Sequence, residues 1–129
     1  MKYLIDTHIF LWFIQDSPSL PTNIKSLMED GNNQLLLSMA SIWEIAIKYS
    51  LGKLQLNGAF EEFIEEQLSL NEIALLPIQI KHLKKLINLP FHHKDPFDRL
   101  IIAQAITEKE TVISVDQYFR QYPVSTIYQ

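Results

Sequence analysis

The chain has 129 residues, of which 47% are hydrophobic and 20% charged, and its formal net charge is −4. That length suits one domain over 1–129, with roughly two thirds of the unfolded surface buried in a core. The absence of cysteine excludes disulfides, a thiolate nucleophile and a Cys-type zinc site. The acidic balance argues against a general nucleic-acid coat protein. It leaves room for a nuclease in which acids line the pocket and bound metal meets the phosphate.

Residues 2–5 read as a short buried strand ending in an acid, not as a signal peptide, which needs a longer apolar stretch and a cleavage site. The expectation is a cytoplasmic chain, since no apolar run approaches a membrane span. Residues 7–14 read as a helix with Ile9, Phe10, Phe13 and Ile14 apolar. Pro18 and Pro21 mark a turn, and 21–30 a helix stopping at Gly31. A second strand covers 34–37. A helix over 39–50 follows, ended by Gly52. Residues 59–69 are amphipathic, with Phe60, Phe63, Ile64 and Leu68 on one face and Glu61, Glu62, Glu65 and Glu66 away from it. A third strand falls at 73–76. A helix at 79–87 carries Ile80, Leu83 and Ile87 on one side. A loop over 89–94 leads to a helix from Pro96 to about Lys109. Residues 111–115 are strongly strand-like, and 124–128 form a weaker last strand. Alternating strands and helices predict an α/β fold with a central parallel β-sheet flanked by helices on both faces. Ligands in such sheets bind beyond the carboxyl ends of the strands.

Four acids sit where apolar runs give way. Asp6 closes the first strand, Glu44 lies beyond the second, Asp98 opens the helix with apolar Leu100–Ile106, and Asp116 ends the 111–115 run. Carboxylates at buried strand ends repel one another and resist desolvation, so a chain that gathers them has a use for them, most commonly a divalent metal. Each also has a plainer role. Asp6 and Asp116 have the chemistry of helix N-caps. Glu44 fits a capping box with Ser41 and an i,i+4 pair with Lys48. However, Ser38 at the strand end starts that helix earlier and puts Glu44 in its second turn among apolar neighbours. Asp95-Pro96 is a helix start, with Asp95 as N-cap. Asp98 then lies at the third helical position, where its charge favours the helix dipole. His92 and His93 have metal-ligand chemistry, but neighbours rarely reach one ion and no spaced partner occurs. The histidines are assigned to loop structure or substrate contact, with His8 near Asp6.

These residues resemble the PIN domain, and within it the VapC-type toxins of toxin–antitoxin pairs. The resemblance runs through Leu4-Ile5-Asp6-Thr7-His8 and Leu11-Trp12. It continues in Ser38-Met39-Ala40-Ser41-Ile42-Trp43-Glu44 and Leu51-Gly52-Lys53-Leu54. Its most specific stretch is Leu89-Pro90-Phe91-His92-His93-Lys94-Asp95-Pro96-Phe97-Asp98-Arg99-Leu100-Ile101-Ile102-Ala103-Gln104-Ala105, and it closes with Ile113-Ser114-Val115-Asp116 and Phe119. It covers nearly the whole chain. It implies a PIN-like fold and an Mg²⁺- or Mn²⁺-dependent endoribonuclease with Asp6, Glu44, Asp98 and Asp116 as the acidic quartet. It also implies a cognate antitoxin as protein partner. Thr7 and Ser114 match hydroxyl positions that orient water or a ligand carboxylate. Ser114-Val115 departs from the Thr and more polar neighbour of many relatives, and weakens no acid.

On this reading Asp6 and Asp98 are the principal metal ligands, completed by Asp116 and Glu44. Lys48, Lys53, Lys94 and Arg99 are candidate contacts to RNA phosphates or simply surface charges. Apolar residues on the early helices, such as Trp12, suit a homodimer. A non-catalytic PIN-like scaffold or RNA-binding module is the alternative, disfavoured because a scaffold has no need to bear the repulsion. A haloacid-dehalogenase-type phosphatase needs a second Asp two residues after Asp6, where His8 stands. A receiver-type domain needs an acid pair at the first strand and a late-strand Lys, and neither occurs.

Overall fold

Side chains of the strands alternate between two cores. Tyr3, Ile5, Leu35, Leu37 and Ile113 belong to one, and Leu4, Leu36 and Val112 to the other. Strands that are apolar on both faces need cover on both. The computed structural model describes residues 1–127. The elements run β1 (Lys2–Ile5), α1 (Thr7–Ile14), α2 (Thr22–Glu29), β2 (Gln34–Ser38), α3 (Met39–Ser50), α4 (Phe60–Leu70), β3 (Ile73–Leu76), α5 (Ile80–Ile87), α6 (Pro96–Glu108), β4 (Thr111–Ile113), a 3₁₀ turn (Gln117–Gln121) and β5 (Thr126–Ile127). All strands are parallel, in the order β3-β2-β1-β4-β5.

Ile9, Phe10 and Leu11 of α1, Ile24 and Met28 of α2, and Ile64 of α4 cover the first face. The second is covered by α6 and by Phe119 of the 3₁₀ turn, with Leu86 of α5 packed alongside. Helix α3 touches both cores, through Ile42 and Ile45 on one and Ala40 on the other. Helix α6 is buried from Asp98 through Ala105, and its apolar residues accordingly show little one-sidedness. The register sets Leu4 beside Leu36 on one side and Val112 on the other, so β1 is the middle strand. The chain leaves β1 for β2 on one side and returns as β4 on the other. The crevice created by that reversal opens at the carboxyl end of β1, where Asp6 stands.

Several boundaries differ from expectation for local reasons. Strand β4 stops at Ile113 rather than residue 115, because the Ser114 hydroxyl accepts from the Asp116 amide at 3.0 Å and turns the chain. The last strand is seen as Thr126–Ile127, and residue 128 of the expected segment lies outside the described residues. Gly52 follows α3 with φ +73°, a left-handed value that suits glycine. Gly31 has no such role, since α2 ends at an extended Asp30. The apolar side of α5 points outward: Ile80 is 82% and Ile87 78% exposed, and Leu83 is exposed too. The side facing α6 instead carries His82, fully buried, whose Nε2 lies 2.8 Å from Glu108 Oε2 while Nδ1 accepts from the Gln79 amide at 3.0 Å. His82 is therefore a helix-packing residue and not a loop or substrate group. Among the described residues no helix is long and apolar enough to cross a membrane.

Candidate metal centre

Asp6 directly follows β1, and Asp116 lies three residues beyond the neighbouring β4, at the start of the 3₁₀ turn. The Asp6 amide donates to Ile113 O at 3.1 Å, which prolongs the β1–β4 ladder by one residue. Its Oδ1 caps α1 by accepting from the Ile9 amide at 2.8 Å, and its Oδ2 accepts from Ser114 Oγ at 2.5 Å. Asp116 uses Oδ1 to cap the 3₁₀ turn, accepting from the Tyr118 amide at 2.9 Å. Its Oδ2 lies 2.9 Å from His93 Nε2. Capping and site roles therefore coexist, because a carboxylate has two oxygens and a cap consumes one.

Helix α6 delivers Asp98. Asp95 is its N-cap, with Oδ1 accepting from the amides of Phe97 at 2.9 Å and Asp98 at 3.0 Å, and Pro96 opens the helix. That leaves the Asp98 carboxylate free of capping, and its Oδ2 lies 3.0 Å from His93 Nε2. Arg99, one residue on, does not face this cluster. Its guanidinium is buried and donates to the carbonyls of Pro90 at 2.8 Å, Leu86 and Leu89 at 3.3 Å, and His93 at 3.5 Å. It also lies 4.1 Å over the Phe91 ring. A side chain so engaged closes the 86–93 segment onto α6, and the expected phosphate contact gives way to a structural one.

Glu44 comes from α3. Ser38 caps that helix by accepting from the Ala40 amide at 3.0 Å, so Glu44 lies in the second turn and no Ser41–Glu44 capping box forms. Glu44 is buried. Its Oε2 pairs with half-exposed Lys48 at 3.2 Å, while Oε1 is the one buried side-chain polar atom among the described residues without a hydrogen-bond partner. Thr7 Oγ1 donates to Ser41 Oγ at 2.9 Å and ties the start of α1 to α3. Both hydroxyls expected near the site, those of Thr7 and Ser114, thus serve the protein's own groups.

His93, assigned from sequence to loop structure or substrate contact, comes from the loop before α6 and lies against two of the acids. Its Nε2 sits between Asp98 and Asp116, and the donor atoms of these three residues all lie within 4.8 Å of one another. Its backbone amide donates to Tyr122 Oη at 2.8 Å, and that hydroxyl donates to Pro90 O at 2.7 Å. The available signal was the loop's position: a residue just before an N-cap can fold its side chain back over the first helical turn.

Burial is the largest cause of a raised pKa at Asp98, which is pushed up to about 8. The charges of Asp95, Asp6, Glu44 and Asp116 add to it. Asp6 is raised as well, again chiefly by burial, although the Ser114 hydroxyl and Ile9 amide oppose the shift. These effects put the other three acids of the quartet, and Asp95 with them, within electrostatic reach of Asp98. Oxygen donors gathered in partly desolvated surroundings, one of them lacking any partner, suit a hard divalent cation. Trp12 is only half-buried and packs on the first core, whereas the exposed tryptophan is Trp43 of α3, edge-on to Phe97 at 5.0 Å.

Fold and donor set together define an α/β protein with an acidic crevice at the carboxyl edge of a parallel sheet. The model of the PIN domain matches residues 3–124, and the chain belongs to that family. No curated protein matches it. Among solved structures, VapBC2 of Rickettsia felis, bound to a promoter DNA fragment, is similar at 20% identity and a TM-score of 0.74, covering 100% of this chain and 99% of that one. FitAcB of Neisseria gonorrhoeae is similar at 19% identity and 0.67, covering 97% and 96%. VapBC-1 of nontypeable Haemophilus influenzae is similar at 18% identity and 0.67, covering 99% and 98%. At these identities the likeness is one of fold.

Proposed function

We propose that this protein is a metal-dependent endoribonuclease that hydrolyses RNA phosphodiester bonds and acts as the toxin of a toxin–antitoxin pair. The observation that carries the reading is the gathering of Asp6, Glu44, Asp98 and Asp116 around one crevice, with Asp98 raised to about 8 and Glu44 Oε1 buried without a partner. Mutual repulsion of this kind is retained where the charge of a cation or a developing transition state offsets it.

Asp6, Asp98 and Asp116 would hold Mg²⁺ or Mn²⁺, and Glu44 would complete the site directly or through water. When bound, such an ion polarises the phosphate and the attacking water. Ser114 fixes the orientation of Asp6, and Asp95 aims Asp98 by capping α6. Glu44 Oε1, buried without a partner, would be free to accept a hydrogen bond from a bound water. Lys48, paired with Glu44, would meet an RNA phosphate.

The toxin assignment is supported by family membership and by neighbours whose own names are those of VapBC and FitAB-type complexes. The antitoxin would be a partner protein. A homodimer would use the outward apolar side of α5, since Ile80, Leu83 and Ile87 form an i, i+3, i+7 stripe exposed to water. The test is cleavage of RNA by purified protein with Mg²⁺ or Mn²⁺, with EDTA, and with Asp98→Asn. Metal-dependent cleavage lost in the variant is expected. RNA binding with no metal-dependent cleavage would instead identify a non-catalytic PIN-like RNA-binding module.

A further inference from the structure

We propose that His93 is a built-in competitor for the metal: its Nε2–H group and a divalent cation are alternative occupants of the space between Asp98 and Asp116. The inference rests on the carboxylate metal site proposed above and concerns how that site is regulated.

The tautomer decides the case. The Asp95 amide donates to His93 Nδ1 at 3.1 Å. A backbone amide only donates, so Nδ1 is the ring's unprotonated nitrogen. In the neutral ring the proton is therefore on Nε2, which lies 3.0 Å from Asp98 Oδ2 and 2.9 Å from Asp116 Oδ2. The ring is a donor facing two acceptors, a fixed partial positive charge where the acids crowd.

A cation binding these oxygens at about 2.1 Å would lie against Nε2. An N–H directed at a cation is repulsive. For His93 to stay as a ligand, the proton would have to move to Nδ1, where it would oppose the Asp95 amide and break the bond that orients the ring. Asp95 is also the cap of α6, so its backbone is not free to turn away. Rotation of the imidazole out of the crevice costs less. Its backbone stays pinned meanwhile, because the His93 amide is held by Tyr122 and the preceding carbonyls by Arg99. His93 thus quiets the acid pair until metal arrives, and lowers the site's apparent metal affinity by the contacts that must be given up.

The experiment has two arms on the full chain. In the first, Mg²⁺ binding is measured by calorimetry for wild type, His93→Ala and Asp98→Asn. His93→Ala should bind Mg²⁺ roughly fivefold tighter, the equivalent of one hydrogen bond no longer surrendered. In the second, the ring nitrogens of ¹⁵N-labelled wild type are followed by NMR as Mg²⁺ is added, with exposed His92 as an internal reference. The His93 Nε2–H tautomer should give way to shifts like those of His92. Weaker or unchanged Mg²⁺ binding by His93→Ala overturns the proposal. So does a His93 ring that keeps its Nε2–H signature at saturating Mg²⁺, or one that moves its proton to Nδ1 and becomes a ligand. If Mg²⁺ binding is absent, or Asp98→Asn does not diminish it, the metal-site reading itself fails, which is a separate outcome from His93 failing as competitor.

Discussion

Ser114 Oγ donates to Asp6 Oδ2 at 2.5 Å, a bond that joins residues 108 positions apart across the β1–β4 junction. The same hydroxyl accepts from the Asp116 amide, so one small side chain holds two of the proposed ligands in relation to each other. Ser114→Ala should therefore act on the site more than on the fold. The expected result is a Mg²⁺ or Mn²⁺ affinity lower by roughly tenfold, the range seen when supports of metal ligands are removed. Calorimetric titration checks it, and Ser114→Thr, which keeps the hydroxyl, should restore most of the affinity.

Asp98 makes metal-free stability depend on pH. Its folded pKa of about 8 stands above the ordinary carboxyl value, so between about 4 and 8 the folded chain keeps a proton that the unfolded chain has released. Stability must fall as pH rises through that window. In EDTA, the thermal midpoint should decline from pH 5 to pH 8, and Asp98→Asn should flatten the decline. Asp6 is raised too, so some slope should remain. At pH 8 the variant should be more stable than metal-free wild type by about 1–3 kcal/mol, yet gain nothing from added metal. A wild-type midpoint that rises with pH would contradict the buried, repelled carboxyl.

Glu44 and Lys48 should separate in mutagenesis. Glu44→Gln keeps the shape while removing charge from the crevice. It is expected to lower cleavage by about 10²-fold or more while leaving the fold intact, in line with loss of a positioned acceptor. Lys48→Met leaves Glu44 buried without its cation. Its expected signature is weaker RNA binding, with a reduced dependence on salt, measured by titration at two ionic strengths.

Arg99 is a test of the reassignment from RNA contact to structural clamp. Arg99→Met would leave the carbonyls of Pro90, Leu89 and Leu86 without their shared donor. Chemical denaturation should show a loss of about 2–4 kcal/mol. Arg99→Lys should recover little of it, because an ammonium does not reproduce the planar fork. A phosphate-contact role predicts the opposite pattern, with normal stability and weakened RNA binding.

The outward side of α5 gives a prediction about assembly. Ile87→Asp should shift the protein from dimer toward monomer in sedimentation or light scattering, with the secondary structure unchanged by circular dichroism. A monomeric wild type would remove this face from consideration as a self-interface.

Much of this protein was determined by its sequence. The β1, β2, β3 and β4 runs are apolar on both faces, and α1, α3 and α6 between them start at the capping residues Asp6, Ser38 and Asp95, so the residue pattern alone implies a covered parallel sheet. Asp6 could be placed at a strand end, and Asp95 told apart from Asp98, because capping depends only on a few neighbouring residues; Asp116, expected to end the 111–115 run, instead caps the turn beyond β4. The tertiary structure decided what depends on distant partners. Arg99 became a clamp because the 86–93 segment folds back on α6, and His82 became core because Glu108 lies across from it. His93 entered the acid cluster because β4 brings Asp116 to the mouth of α6. Local physics repeats along the chain and can be read in order, whereas these roles come from residues 10 to 26 positions apart whose meeting only the packed sheet and helices fix.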